Sequence, residues 1–269
     1  MESQIPGPMV MGILNVTPDS FSDCARLLEP EAAVARGRQL FDEGAAVVDV
    51  GGESTRPGAK PVPVDEELAR VVDVVAGLAR HGRVSIDTTK PEVARAAVAA
   101  GAEILNDVSA SLHEVAAELN VTWIAVHRRG TPATMQTAPH YADVVADVRD
   151  FLAEAVERGR SAGVPEVWID PGIGFGKTTD HNLELLANLR QLTALGAPVV
   201  LGASRKRFIG ELHAVSDARD RESDREEVST DDRLEGSLAA ASWAFAQGAA
   251  VVRVHDVAAT VGAMKVVAA

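Results

Sequence analysis

Short apolar runs alternate with longer amphipathic stretches along almost the whole chain. The short runs are rich in valine and isoleucine, which is typical of strands that are buried on both faces. They predict strands at 9–15, 45–52, 83–87, 103–107, 121–127, 167–170, 198–203 and 249–255. In the stretches between them, apolar residues recur at helical spacing, and this predicts helices at 31–44, 65–79, 92–100, 113–119, 141–162, 182–195, 234–247 and 256–267.

This alternation predicts a parallel sheet, because strands that are joined through helices run in the same direction. About eight strand–helix units in 269 residues favour an α/β fold, a (β/α)8 TIM barrel, with residues 1–269 as a single domain. An open doubly wound sheet is the alternative, and it is disfavoured because no glycine-rich dinucleotide motif follows the first strand. Residues 216–232 carry mixed charge and few large apolar side chains, so we expect a mobile surface loop there.

Nearly every predicted strand ends in a polar or charged residue. In a barrel these ends converge on one rim, where active sites are built. Carboxylates and an amide suit a heterocycle with N–H donors, whereas cations and a hydroxyl from the last two strands suit a phosphate-like anion. The first set is Asp87, Asn106 and Asp170, and the second is Ser204, Lys206, Arg253 and His255. On the first loop, Asn15 and Asp19 offer oxygen ligands to a Mg²⁺ that holds the same phosphate.

Charge and composition narrow the class of protein. The net charge of −13 argues against binding to nucleic acid or to anionic membranes. The only cysteine is Cys24, which excludes an internal disulfide and a cysteine-based metal site. No apolar run approaches the length that spans a bilayer, and the first residues do not have the pattern of a signal peptide. We therefore expect a cytoplasmic protein.

One glycine-rich segment imitates a nucleotide-binding loop. Residues 172–177 end in glycine and lysine, as a phosphate-binding loop does. Pro171 stands where the first glycine of that motif is required, so we do not predict a P-loop.

Eight segments, in order along the chain, together resemble the dihydropteroate synthase family. They read MGILNVTPDSFSD, DVGGESTRPGA, SIDT, ILNDV, RGTPATMQ, DPGIGFGK, SRKRFIG and RVHDV, and they extend over almost the whole chain. The resemblance implies a TIM-barrel transferase of folate biosynthesis. Such an enzyme joins 6-hydroxymethyl-7,8-dihydropterin diphosphate to 4-aminobenzoate, forms 7,8-dihydropteroate and releases pyrophosphate.

The resemblance also implies roles for individual residues. Asp87, Asn106, Asp170 and Lys206 would hold the pterin, and Asn15, Arg253 and His255 would hold the diphosphate, with Asn15 on Mg²⁺. Thr55 would lie near both substrates; Arg56, Pro57, Phe21, Phe175 and Ser204 would surround 4-aminobenzoate. The residues implied in catalysis are Asp87, Asp170, Lys206, Arg253 and His255. Arg205 and Arg207 either support the carboxylate of 4-aminobenzoate or are surface charges.

Three features depart from the family pattern. Cys24 and Ala25 replace a glycine pair in the first loop, Arg128 replaces an apolar pocket wall, and the loop after Val108 is shorter than usual. They keep open a second interpretation, a catalytically weak or silent pterin-binding paralogue. A methyltransferase of the same fold is disfavoured, because Arg56 and Lys206 would then lack anionic partners. The resemblance also implies a homodimer.

Overall fold

The computed structural model describes residues 9–17, 30–56, 58–221 and 229–268. Its sheet contains the strands β1 (Met9–Asn15), β2 (Val47–Gly51), β3 (Arg83–Asp87), β4 (Ile104–Asp107), β5 (Thr122–Val126), β6 (Val167–Asp170), β7 (Val200–Leu201) and β8 (Val251–Val254). The helices are α1 (Pro30–Asp42), α2 (Val64–Leu78), α3 (Pro91–Ala99), α4 (His113–Leu119), α5 (Val144–Ala162), α6 (Thr179–Ala187), α7 (Leu189–Thr193), α8 (Arg207–Arg221), α9 (Leu234–Ala246) and α10 (Val257–Val267). A short 3-10 helix covers Thr230–Arg233.

The sheet closes on itself. Its strands are ordered β6-β5-β4-β3-β2-β1-β8-β7, and all the strand pairs are parallel. Strand β7 has only two residues, and β6 meets it through one bridge, between Ile169 and Val199. Beside this bridge, the Ile169 N–H donates to the Pro198 carbonyl at 3.0 Å. The predicted (β/α)8 barrel is therefore confirmed.

The inside of the barrel is filled by an apolar layer directly below the polar rim. Val47, Ile104, Trp168 and Val251 belong to this layer and are buried. Because side chains on a strand alternate between faces, the residue two positions further along points the same way. Those residues are Asp49, Asn106, Asp170 and Arg253. The two-residue alternation of side chains along the strands thus places a row of polar groups directly above an apolar layer.

The helices cover the outside of the sheet and bury its other face. The larger core cluster includes Leu40, Leu78, Ile86, Leu152 and Leu185, all inaccessible to solvent. Each such side chain stabilises the fold by about 1.5–3 kcal/mol through burial. This double burial explains why the strands have continuous apolar sequences. Within the described ranges, no helix is both long enough and apolar enough to cross a membrane.

The structure differs from the sequence prediction in the last third of the chain. Helix α8 continues to Arg221, so the loop prediction is wrong for residues 216–221. The buried side chains of Phe208 and Ile209 anchor this helix, and a charged helix with a narrow apolar stripe resembles a loop in sequence. Residues 222–228 lie outside the described ranges, and the mobility of the segment stays a prediction. The helix predicted at 182–195 is divided at Asn188 into α6 and α7.

Candidate active site

A cavity of about 750 Å³ opens at the carboxyl ends of the strands. This volume is within the range of small-molecule binding sites. The predicted site residues that line it are Asn15, Thr55, Arg56, Asp87, Phe175, Ser204, Lys206, Arg253 and His255. Asn106 and Asp170 are buried on strands β4 and β6 at the same rim. Phe21, Pro57 and Asp19, which were also predicted to belong to the site, lie outside the described residues.

Three strands are joined at the floor of this cavity through the carboxylate of Asp49. Its Oδ2 accepts from Nε of Arg253 at 2.6 Å and from Nδ2 of Asn106 at 3.0 Å. Nη2 of Arg253 donates to Oδ2 of Asp87 at 2.8 Å, so the guanidinium lies between two carboxylates. Asp49 was recognised in the sequence only as a strand-terminal residue and was not assigned to the site. Its separation from Arg253 along the chain hides this contact from sequence reasoning.

The electrostatics of this floor are unusual. Burial raises the pKa of Asp87 to about 7, and repulsion by Asp49 adds to this, although Arg253 opposes it. Burial alone would lower the pKa of Arg253, but attraction to Asp49 and Asp87 outweighs burial and raises it. Arg253 is therefore a fixed cation, whereas Asp87 changes its charge near neutral pH.

Asp170 and Lys206 form a second pair of charges at the rim. Oδ1 of Asp170 accepts from the Gly172 N–H at 2.7 Å, and burial raises the pKa of this carboxyl against the pull of Lys206. The Lys206 ammonium donates to the Ile173 carbonyl and lies 4.3 Å from the centre of the Phe175 ring. Burial lowers the pKa of Lys206 to about 8, although Asp170 stabilises the charged form. This part of the rim combines a cation, a carboxylate and an aromatic face.

The loops after β7 and β8 are joined through Ser204 and His255. Oγ of Ser204 lies 3.1 Å from Nδ1 of His255 and accepts from the His255 N–H at 3.2 Å. Burial lowers the pKa of His255 to about 3, and Arg253 acts in the same direction. The imidazole is therefore neutral at pH 7 and can act as a hydrogen-bond donor without a charge.

The two arginines left open by the sequence have different surroundings. Arg205 makes a two-pronged ion pair with Asp256, with Nε–Oδ2 at 3.0 Å and Nη2–Oδ1 at 2.6 Å. Its backbone is left-handed, with φ at 58°, and its N–H donates to Oγ of Ser237 at 2.9 Å. Arg207 is exposed and pairs with Glu211 at 2.6 Å. Both line the cavity, but the contacts of Arg205 bind it to the protein, whereas the ion pair of Arg207 is exposed to solvent.

The donor set at the rim fits a magnesium ion carried by a substrate better than a resident metal. Among the described residues, no group of three or more His, Cys, Asp and Glu side chains could hold an ion. Asn15 lines the cavity and offers one amide oxygen. Mg²⁺ commonly takes one or two protein oxygens and completes its shell with phosphate oxygens and water.

The short loop after Val108 is held by Asp107, which sequence reasoning also left unassigned. Its Oδ2 accepts from the backbone N–H groups of Ser111 and Leu112, both at 2.7 Å, and from Nε1 of Trp123 at 3.2 Å. These bonds stabilise the direct entry into α4. Arg128 is half-buried and does not line the cavity. Cys24 and Ala25 lie outside the described residues.

Comparison with known proteins identifies the family. The pattern of the pterin binding enzymes matches residues 11–255. The chain is also 48% identical to the dihydropteroate synthase of Mycobacterium leprae, over 97% of this chain and 92% of that protein. The chain belongs to the pterin-binding enzyme family, among the dihydropteroate synthases.

Solved structures of dihydropteroate synthases are also similar to the chain. The Xanthomonas albilineans enzyme with 4-aminobenzoic acid has a TM-score of 0.86 and 48% identity, covering 97% of this chain and 92% of that one. The same organism's enzyme in complex with 7,8-dihydropteroate has a TM-score of 0.83 and 45% identity, covering 97% and 93%. Membership of this family confirms the resemblance found in the sequence and accounts for a polar rim on a barrel.

Proposed function

We propose that this chain is an active dihydropteroate synthase. It joins 6-hydroxymethyl-7,8-dihydropterin diphosphate to 4-aminobenzoate in folate biosynthesis, releasing pyrophosphate and forming 7,8-dihydropteroate. The observation that carries this proposal is one cavity at the rim that is lined by the buried carboxylate of Asp87 and by Lys206, Arg253 and His255, with Asn106 and Asp170 buried at the same rim. The carboxylates and the amide suit a heterocycle rich in N–H groups, and the cations and the imidazole suit a diphosphate.

At the ring end of the substrate, Asp87, Asn106 and Asp170 act as acceptors. The Asn106 amide donates its NH₂ to Asp49, which leaves its carbonyl oxygen for a ring N–H. Lys206 donates to an acceptor atom of the ring. The cation that develops on the pterin during the reaction is stabilised by the carboxylates of Asp87 and Asp170.

At the diphosphate end of the substrate, Arg253 supplies a permanent charge and His255 a neutral donor. Asn15 would hold a Mg²⁺ bound to the diphosphate. When bound, this ion neutralises charge that collects on the leaving group. The carbon–oxygen bond to the diphosphate breaks and its electron pair leaves with pyrophosphate. The aniline nitrogen of 4-aminobenzoate then attacks the carbon and loses a proton, so no side-chain nucleophile is required.

4-Aminobenzoate lies between the second loop and the start of α8. Thr55 and Arg56 flank it, Phe175 borders its ring, and Ser204 with the amino terminus of α8 faces its carboxylate. The roles of Pro57 and Phe21 stay predictions, because both lie outside the described residues. Phe175 is half-buried in the cavity wall beside Lys206, which is consistent with a site for an aromatic acid. A helix amino terminus stabilises a carboxylate through its free N–H groups.

The deciding experiment is release of pyrophosphate by the purified protein with both substrates and Mg²⁺. Dihydropteroate should form in equal amount, as measured by mass spectrometry. Binding of the pterin without release of pyrophosphate at high enzyme concentration would favour the silent paralogue instead. Arg128→Met should have little effect on turnover in an active synthase, because Arg128 does not line the cavity.

We further propose that the protein works in the cytoplasm as a homodimer. Three large apolar side chains are exposed: Leu183 on α6 at 39%, Leu212 on α8 at 38% and Trp243 on α9 at 48%. Helices α8 and α9 both contact α6. Such apolar side chains favour an interface between copies of the chain. Light scattering after gel filtration should give twice the chain mass, and Trp243→Glu should give the monomer. A monomeric parent protein would contradict the proposal, and cell fractionation tests the compartment.

A further inference from the structure

The glycine-rich segment that resembles a phosphate loop has a buried lysine at its end. Only 2% of Lys177 is exposed. Its Nζ lies 3.0 Å from the Gly172 carbonyl, 3.2 Å from the Phe175 carbonyl and 2.8 Å from Nδ1 of His127. Burial lowers the pKa of Lys177, and the charge of Lys206 acts in the same direction. Since its amine is turned toward protein atoms, Lys177 is not placed to serve as a phosphate ligand.

The turn that Lys177 closes is made of residues with little conformational restraint of their own. Gly172, Gly174 and Gly176 have positive φ, at 65°, 81° and 65°. A Cβ on Gly172 would lie 1.8 Å from the His127 carbonyl oxygen, so only glycine allows this close approach. Glycines permit the turn but do not fix it, because they leave the chain many other conformations. The three contacts of the Lys177 amine add restraint from inside the turn, beside the bonds that Gln136, Tyr141 and Asn182 make to its backbone.

The same turn supplies three parts of the active site. The Gly172 N–H donates to Asp170 at 2.7 Å, and the Ile173 carbonyl accepts from Lys206. The Phe175 ring lies 4.3 Å from the Lys206 ammonium. Displacement of the turn would therefore move the aromatic wall and the group that holds Lys206.

We propose that Lys177 is a positioning residue, an internal cross-link from the turn to the end of β5 that fixes Phe175 beside 4-aminobenzoate and Lys206 beside the pterin. The inference rests on the proposed synthase function. Lys177 does not touch the reacting atoms in this scheme, and it acts through the turn alone. The side of the cavity next to the turn, with Phe175 and Lys206, should depend on Lys177 most. Asp87 and Asn106 should depend on it less, because they lie on strands that the turn does not contact.

Lys177→Met tests this, since methionine fills a similar volume without the donor. Lys265→Met is the matched control, because Lys265 is exposed on α10. Hydrogen exchange of the Gly172, Gly174 and Phe175 amides is the first readout, since all three are hydrogen-bonded. Exchange at these amides should be at least about tenfold faster in the Lys177 variant only, while the central strands keep their protection.

Kinetics supply the second readout. The KM for 4-aminobenzoate should rise about tenfold or more, because a small misplacement of a substrate wall costs up to about 10²-fold in rate. The KM for the pterin diphosphate should also rise, because the same turn holds Asp170 and Lys206. Failure of the parent protein to release pyrophosphate would refute the synthase function, but the exchange data would still test the cross-link.

Two results would overturn the inference. One is unchanged exchange at the three amides together with an unchanged KM for 4-aminobenzoate. The other is a uniform loss of protection throughout the barrel, which would show a general structural role. If the methionine variant does not fold, Lys177→Gln is measured in its place, since glutamine keeps a donor with shorter reach; the same two results apply to it.

Discussion

Replacing Asp49 with asparagine should make the enzyme less sensitive to acid. The substitution removes a charge from the cavity floor and leaves the shape of the side chain almost unchanged. Asp49 and Asp87 contact the same guanidinium, so their carboxylates repel each other across Arg253. Repulsion by Asp49 contributes, after burial, to the raised pKa of Asp87, about 7. Its removal must therefore lower the pKa of Asp87.

The size of this shift follows from the geometry. Two carboxylates on one guanidinium lie about 5 Å apart, which gives on the order of 3 kcal/mol at an effective dielectric constant of about 20. This sets an upper limit of about two pH units, and we expect a shift of about one to two. At pH 6 the ionised fraction of Asp87 would then rise from about 10% to at least about 50%. A weaker bond from Arg253 to a neutral amide should lower the maximum of kcat/KM, on the plateau of the pH profile, by about fivefold.

The assay is kcat/KM for the pterin diphosphate from pH 5 to 9, followed by pyrophosphate release. This parameter reports ionisations of the free enzyme and free substrate. Asp73→Asn is the control, because Asp73 is exposed on α2 and the substitution is the same. The acid limb of the Asp49 variant should lie at lower pH than that of the control. An acid limb that stays in place or moves to higher pH would refute the coupling of Asp49 to Asp87.

Two further variants test the charges at the rim. Lys206→Ala should reduce kcat by about 10²-fold or more, as expected for loss of one preorganised charge, and a near-normal rate would mean that Lys206 is wrongly assigned. The parent enzyme should also lose activity above pH 8, where Lys206 loses its proton. Asp87→Asn should raise the Tm of the free protein at pH 8 while lowering activity. The pKa of Asp87 is raised on folding, so ionisation of Asp87 costs stability as pH rises from about 4 to 7. An unchanged or lower Tm of the Asp87 variant at pH 8 would contradict this reasoning.

Local patterns predicted the barrel and most of its rim well. Strands buried on both faces and bounded by glycine gave the correct order and number of strands, because each signal lies within one short segment. The rim residues were found for the same reason: Asp170 ends an apolar run, and Arg253 lies one residue before the end of another. Convergence of strand ends in a barrel then brings them together without knowledge of side-chain contacts.

Contacts between distant segments could not be predicted in this way. Asp49 on β2 and Arg253 on β8 are paired across β1, and Lys177 contacts His127, which follows the preceding strand. Each depends on side-chain direction at the end of a strand, which composition and spacing do not determine. The end of α8, residues 216–221, was missed for a different reason, since tertiary packing of Phe208 and Ile209 at its start outweighs the charged sequence.

The weakest strand pairing of the barrel, between β6 and β7, lies between the two halves of the substrate site. Strand β7 is two residues long and joins β6 through a single bridge, so the cylinder has almost no backbone ladder there. Asp170 stands at the end of β6, and Ser204 follows β7 on the other side of this gap. A ligand that spans both sides would therefore serve as a mechanical brace for the wall. Binding of the substrate and closure of the barrel are then coupled, so the substrate should stabilise the folded protein that binds it.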